Sequence, residues 1–238
     1  MKIGLIGAME EEVAILRAHI QTPRKTEEAH CLFYTGRLAG QDVVLLQSGI
    51  GKVNAAMGTT LLIDRFRPDA VINTGSAGGL DSALDIGDVV ISSEVLHHDV
   101  DATAFGYLPG QVPQMPAVFK ADTGLEELAG KVSETVYKSH RTVHGPIATG
   151  DAFMSDPDRI AKLKALFPEV KAVEMEGAAI AQVCRQFGVP FLVVRSLSDI
   201  AGKQSDLSFE QFLETAAKHS AQFVLSLLKE IDIDAGTK

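Results

Sequence analysis

Several runs of this chain are apolar without regular alternation: KIGLIG (2–7), AVIN (70–73) and PFLVV (190–194). A strand with one wet face alternates polar and apolar residues. A strand covered on both faces has no reason to. Between such runs lie stretches with helical spacing. EEEVAILRAHI carries Val13, Leu16 and Ile20 on one stripe with acids in its first turn, and GKVNAAMGTTLLIDRF ends ahead of Pro68. TGLEELAGKVSETVYK, DPDRIAKLKALF and GAAIAQVCRQFG also read as helices, with Asp156 a cap and Pro157 at a helix start. A long closing helix is expected from SFEQFLETAAKHSAQFVLSLLKEI, with Ser208 as its cap and Phe209, Phe212, Leu213, Ala216 and Ala217 on its apolar stripe. CLFYTGRL and DVVLLQSG, joined by Ala39-Gly40-Gln41, read as a hairpin. GDVVISSEVL, TVHGPIAT and KAVEME read as further strands, and Gln21 to His30 as a polar surface turn.

Strands alternating with helices predict an α/β fold: one domain over residues 1–238, a central mixed β-sheet, and helices on both faces. With 238 residues, 46% of them hydrophobic, the chain can bury a sizeable core. No stretch of 18 apolar residues suggests a membrane span, and MKIGLIGAMEEE does not read as a signal peptide. Cys31 and Cys184 sit among apolar neighbours and read as buried free thiols in a reducing cytoplasm. A net charge of −9 without a basic block argues against a nucleic-acid partner. There is no internal repeat and no low-complexity segment.

Ligands in such folds gather at the carboxyl ends of the strands. GSAGG (75–79) there could let a flat ligand or an anion approach backbone amides, or could be only a tight strand exit. It is not followed by the pattern of a dinucleotide or P-loop site. His97-His98-Asp99-Val100-Asp101 resembles a fragment of a metal site. Neighbouring strand residues face opposite ways, so a surface reading is preferred and no metal is expected. Of Glu10, Glu11 and Glu12 at a helix start, two suit the helix dipole and one can face inward. Asp199 ends a buried strand, where it could do chemistry, cap the next element or pair with Arg195. Thr103 to Val118 carries three prolines and two glycines and reads as a long functional loop.

Acids at several strand ends, with no cationic cluster, suit cleavage of a glycosidic bond. That reaction needs one group to protonate the leaving group and one to activate water. A further carboxylate can accept hydrogen bonds from two adjacent ribose hydroxyls.

The blocks MKIGLIGAMEEEV, SGIGKVNAA, INTGSAGGL, TAFGY, FKAD, TGDAF, AVEMEGAAIA, FLVVRSLSD and LSFEQFL run in order from residue 1 to about residue 228. Together they resemble the bacterial 5′-methylthioadenosine/S-adenosylhomocysteine nucleosidases of the nucleoside phosphorylase-like superfamily. The resemblance implies hydrolysis of 5′-substituted adenosines, 5′-deoxyadenosine among them, to adenine in methionine and purine salvage, without a cofactor, in the cytoplasm. It implies Asp199 as the acid that protonates the adenine five-membered ring, with Ser198 orienting it, and Glu12 as the base for water. Glu176 would grip the ribose hydroxyls beside Met175, and Ser76 and Gly78 would border the adenine and ribose. Phe153 and Met154 would lie on the base, and Met9, Ile50 and Phe209 would line the ribose and alkylthio region. Phe105 and Pro113 would reach a neighbouring subunit's pocket, which implies a homodimer. Partners would otherwise be adenine nucleosides and water, with no nucleic acid and no membrane.

The chain departs from the family pattern at Met154, where isoleucine is frequent, at Ala102, which is smaller than usual, and within Leu108 to Met115. The alternatives are a purine nucleoside phosphorylase, an aminodeoxyfutalosine nucleosidase and a non-catalytic adenine-nucleoside binder. Phosphorolysis needs a cationic cradle, whereas the N-terminal strand here leads into Glu10-Glu11-Glu12. Glu174 has no role in this scheme. A charge in an interior segment needs a permanent partner, and Arg195 is the expected one.

Overall fold

The computed structural model describes residues 1–136, 140–201 and 205–235. In chain order the elements are β1 (Lys2–Gly7), α1 (Glu10–His19), β2 (Gln21–Glu28), β3 (Cys31–Leu38), β4 (Gln41–Gln47), α2 (Lys52–Phe66) and β5 (Ala70–Gly79). There follow β6 (Val89–His97), a 3₁₀ turn at Thr103–Phe105, β7 (Phe119–Lys120), α3 (Thr123–Val136) and β8 (Thr142–Thr149). The chain then forms α4 (Pro157–Leu166), β9 (Ala172–Glu174), α5 (Gly177–Phe187), β10 (Phe191–Ile200) and α6 (Ser205–Ala235).

The sheet is mixed, as expected. Its path runs β10-β6-β8-β9-β5-β1-β4-β3-β2, with β7 attached to β6. β10 also pairs with β5, so β5, β10, β6, β8 and β9 form a closed ring of pairings, while β1, β4, β3 and β2 extend from it. The apolar runs have no wet face because both faces are covered. Ile3, Leu5, Ile72, Leu192 and Val194 pack with α1, α3 and α6, and Ile6, Val71 and Val193 pack with α2 and α5. A smaller cluster joins Ile160 and Leu163 of α4 to Leu80, Leu96 and Met154.

Several expectations need correction. Gln21 to Glu28 is not a turn: it is the edge strand β2, with every residue exposed. Its backbone pairs with β3, but neither of its faces is buried, so its sequence carries no strand period. GSAGG is not a turn either. It continues β5 to Gly79, pairing with β10 and β9. α6 starts at Ser205, so Ser208 lies within the helix rather than capping it. His97 is buried, with Nε2 3.0 Å from Gln182 Oε1, because β6 is covered on that side by α5. Tyr137 and Lys138, expected at the end of α3, lie outside the described residues. Asp156 does cap α4, accepting from the amides of Asp158 and Arg159 at 2.8 and 3.1 Å. Both cysteines are buried and free.

Candidate active site

β1, β5 and β10 run parallel, so their carboxyl ends open on the same side of the sheet. There they border a cavity of about 380 Å³. Met9 and Glu12 enter it from the β1–α1 junction, and Ser76 and Gly78 from β5. Met175 and Glu176 come from the β9–α5 junction, and Ser198 and Asp199 from β10. Ile50, Phe153 and Phe209 complete the set of expected residues on this wall. Met154 lines an adjoining smaller recess together with Gly78, Phe153, Met175 and Asp199. Phe105 and Pro113 do not line this cavity: both are exposed, Phe105 to 84%.

Glu12 is the inward member of its acidic trio, as a fan of about 100° per residue requires. Its Oε2 accepts from the amides of Ala8 and Met9 at 2.8 and 3.2 Å. Its Oε1 accepts from the amide and hydroxyl of Ser76 at 2.9 and 3.1 Å. Glu10, by contrast, faces solvent and pairs with Arg17. Glu12 can approach β5 because residue 75 is glycine. A Cβ there would overlap Glu12 Oε1 and Arg195 Nη1.

Asp199 follows a bulge. Leu197 pairs with Ala77 and Asp199 with Gly78, which leaves Ser198 as the extra residue. Bulges re-aim the side chains beside them. The Ser198 hydroxyl donates to Asp199 Oδ1 at 2.9 Å. A Cβ on Gly78 would stand 3.0 Å from Asp199 Oδ2, so the glycine preserves the acid's space. Burial pushes the Asp199 carboxyl up to about 6, against the smaller opposing effect of the Ser198 hydrogen bond. Asp199 neither caps the next element nor pairs with Arg195 within salt-bridge distance among the described residues.

Arg195 is fully buried in the middle of β10 and holds three carboxylates together. Its Nη2 lies 2.5 Å from Glu174 Oε2 and 3.4 Å from Glu176 Oε2, and its Nη1 lies 3.9 Å from Glu12 Oε1. Nη2 also donates to Asn73 Oδ1 at 2.7 Å, and Nη1 to the Ser76 carbonyl at 3.2 Å. The expected Glu174–Arg195 pair is therefore present. Glu174 is held further by the Thr149 hydroxyl and by the amides of Glu176 and Gly177 at 2.9 and 2.7 Å. Glu176 is the N-cap residue of α5 rather than part of β9. Its Oε1 accepts from the Gly51 amide at 2.8 Å. Burial, with the nearby Glu174 charge, lifts its carboxyl to about 8, and Arg195 only partly offsets this. Three acids around one guanidinium favour the neutral form of Glu176 over what an isolated carboxyl would show.

Residue-by-residue reading missed Asn73, Thr149, Gly51 and the extended role of Arg195. The signals available were a polar Asn73 and a charged Arg195 inside apolar strands, which demand buried partners.

A sequence profile of the phosphorylase superfamily matches residues 2–229. The 5′-methylthioadenosine/S-adenosylhomocysteine nucleosidase of Geobacillus sp. (strain WCH70) is 62% identical over 231 residues, covering 97% of this chain and 99% of that protein. The Colwellia psychrerythraea 34H nucleosidase of the same name, solved with adenine, superposes with a TM-score of 0.94 at 55% identity, covering 96% of this chain and 94% of that one. The Neisseria meningitidis nucleosidase, solved with methylthio-immucillin-A, gives a TM-score of 0.94 at 48% identity, covering 96% and 99%. By sequence and by fold, this chain belongs to the phosphorylase superfamily and, within it, to the 5′-methylthioadenosine/S-adenosylhomocysteine nucleosidases, which are N-glycosyl hydrolases.

Proposed function

We propose that this chain, as one catalytic domain over residues 1–238, hydrolyses the N-glycosidic bond of 5′-methylthioadenosine and S-adenosylhomocysteine, releasing adenine. The observation that carries the reading is the convergence of Glu12, Asp199 and Glu176 on one cavity. Asp199, protonated in part near neutral pH, donates its proton to a nitrogen of the adenine five-membered ring as the bond to the sugar breaks. The ribosyl carbon gains cationic character, which the neighbouring acids favour. Glu12 accepts the proton of the attacking water. Its oxygens already receive four hydrogen bonds, so the Ser76 hydroxyl, at 3.1 Å, must turn from Glu12 Oε1 toward the water.

Glu176 takes the two ribose hydroxyls, either as a carboxylate or as an acid that also donates. Met9, Ile50, Met175 and Phe209 give the ribose and 5′ substituent an apolar wall, and Phe153 and Met154 face the base. Phe153 meets Phe209 edge-on with ring centroids 5.6 Å apart, so base and 5′ sides of the site share an aromatic contact. Water rather than phosphate is the nucleophile on this reading. No lysine or arginine lines the cavity among the described residues, and Arg195 behind it is committed to carboxylates. Adenine release from 5′-methylthioadenosine is expected to proceed equally with and without phosphate. Strict phosphate dependence would replace hydrolysis with phosphorolysis.

5′-Deoxyadenosine fits the same apolar wall, and the reaction belongs to methionine and purine salvage in the cytoplasm. A homodimer is supported by large apolar side chains left in solvent on α2 and the long loop, Val53 at 77% and Phe105 at 84% exposure. Sedimentation of wild type and Phe105→Asp tests it: a wild-type monomer would remove the dimer from the reading. No helix among the described residues is long and apolar enough to cross a membrane.

A further inference from the structure

α2 begins without a capping side chain of its own. Its N-cap is Gly51, at φ +95°, a conformation that L side chains rarely adopt. Serine, threonine, aspartate and asparagine, the usual local caps, are therefore disfavoured there. Two carboxyl groups from distant segments serve the helix start instead. The Gly51 amide donates to Glu176 Oε1 at 2.8 Å, and the Lys52 amide donates to Asp151 Oδ1 at 2.7 Å. Asp99 closes the arrangement: its Oδ1 lies 2.6 Å from Lys52 Nζ, and its Oδ2 accepts from the Asp151 amide at 2.9 Å. A Cβ on Gly51 would stand 3.1 Å from Asp151 Oδ1, so the cap sits close against the turn.

Asp151 is exposed and outside the cavity wall, two residues before Phe153. Asp151 and Glu176 thus accept from successive amides, on the two peptide planes that meet at the Gly51 Cα. Only the φ and ψ of Gly51 separate those planes, so holding one narrows the directions open to the other. We propose that Asp151, braced by Asp99 and Lys52, is a positioning residue: it orients the start of α2 so that the Gly51 amide holds Glu176 in the pose that recognises the ribose hydroxyls. This rests on the reading of Glu176 as the ribose grip.

The test is the ratio of kcat/KM for 5′-methylthioadenosine to that for its 2′-deoxy and 3′-deoxy counterparts. Asp151→Ala removes the cap. It is expected to lower that ratio roughly tenfold, the scale of one charge-assisted hydrogen bond. Asp151→Asn keeps an acceptor oxygen and is expected to restore the ratio to within about threefold of wild type. A role in stability alone would slow all three substrates by one factor. An unchanged ratio in Asp151→Ala therefore overturns the proposal. Should that variant not fold, Asp99→Asn loosens the same brace and is expected to lower the ratio in the same direction, with an unchanged ratio again refuting. Glu176→Ala separates the two readings. If it collapses the ratio while Asp151→Ala does not, the positioning role fails alone. If it leaves the ratio intact, the ribose grip fails and the positioning role with it.

Discussion

Asp199→Asn changes one atom of the side chain and removes the only proton that the proposed acid can transfer. The carboxyl stands at about 6 instead of an ordinary 3.8, because the bulged end of β10 is buried. At pH 7 that shift raises the protonated fraction from about one molecule in 1,600 to about one in ten, a gain of roughly 150-fold, or about 3 kcal/mol. The asparagine amide can still hydrogen-bond the ring nitrogen but cannot protonate it. Turnover is expected to fall by about 10²–10⁴, the usual weight of acid catalysis. The sign of the pH effect follows from the same shift. The acid form is present below about pH 6, so wild-type kcat/KM should decline about tenfold per pH unit above it, whereas the residual rate of the variant should lack that limb. Adenine release measured from pH 5 to 9 reads both. An Asp199→Asn enzyme within fivefold of wild type, or one that keeps the same alkaline decline, would refute the assignment.

Glu12→Gln should reduce turnover at least ~100-fold, since an amide cannot take the proton of water. It should also lower the melting temperature, because its NH₂ meets the amides of Ala8 and Met9, or of Ser76, where an acceptor is required. Glu176 has a folded value of about 8, above the ordinary 4.5. Its contribution to stability is thus complete below about pH 4.5 and is lost as pH rises through about 8. Glu176→Gln should therefore melt higher relative to wild type at pH 9 than at pH 5, by at least about 2 °C in calorimetry; parallel shifts at both pH values would contradict the buried-acid picture. Arg195→Met leaves three acids around no cation and should cost about 3–5 kcal/mol by urea unfolding at pH 7. A cost below about 1 kcal/mol would mean that the cluster is not held by charge.

Local pattern carried the sheet and its helices far, because apolar runs and helical stripes report burial directly. It failed where burial is absent: β2 has no buried face and so no period to read. It failed also at GSAGG, where glycines that resemble a turn are strand residues kept small so that Glu12, Arg195 and Asp199 can come close. The Glu174–Arg195 pair was legible because a charge inside an apolar run must find its opposite. The hold of the Gly51 backbone amide on Glu176 was not, because an amide leaves no mark in the sequence. The same is true of the capping contact between Asp151 and Lys52, which joins segments far apart in the chain.

The ring of paired strands has a further consequence for how the molecule behaves in crowded solution. Strands inside the ring offer no free ladder to another molecule, whereas the path of the sheet ends in the open at β2. β7 also has one unpaired edge but is two residues long, so strand addition between copies is expected at β2. Pro23 withholds a donor, and Arg24, Lys25, Glu27 and Glu28 make a flat apolar match impossible. Replacing those residues with threonine and valine leaves the residues that line the cavity untouched and is expected to promote fibrous aggregation, read by light scattering. For this protein, colloidal behaviour and chemistry are written in separate parts of one sheet.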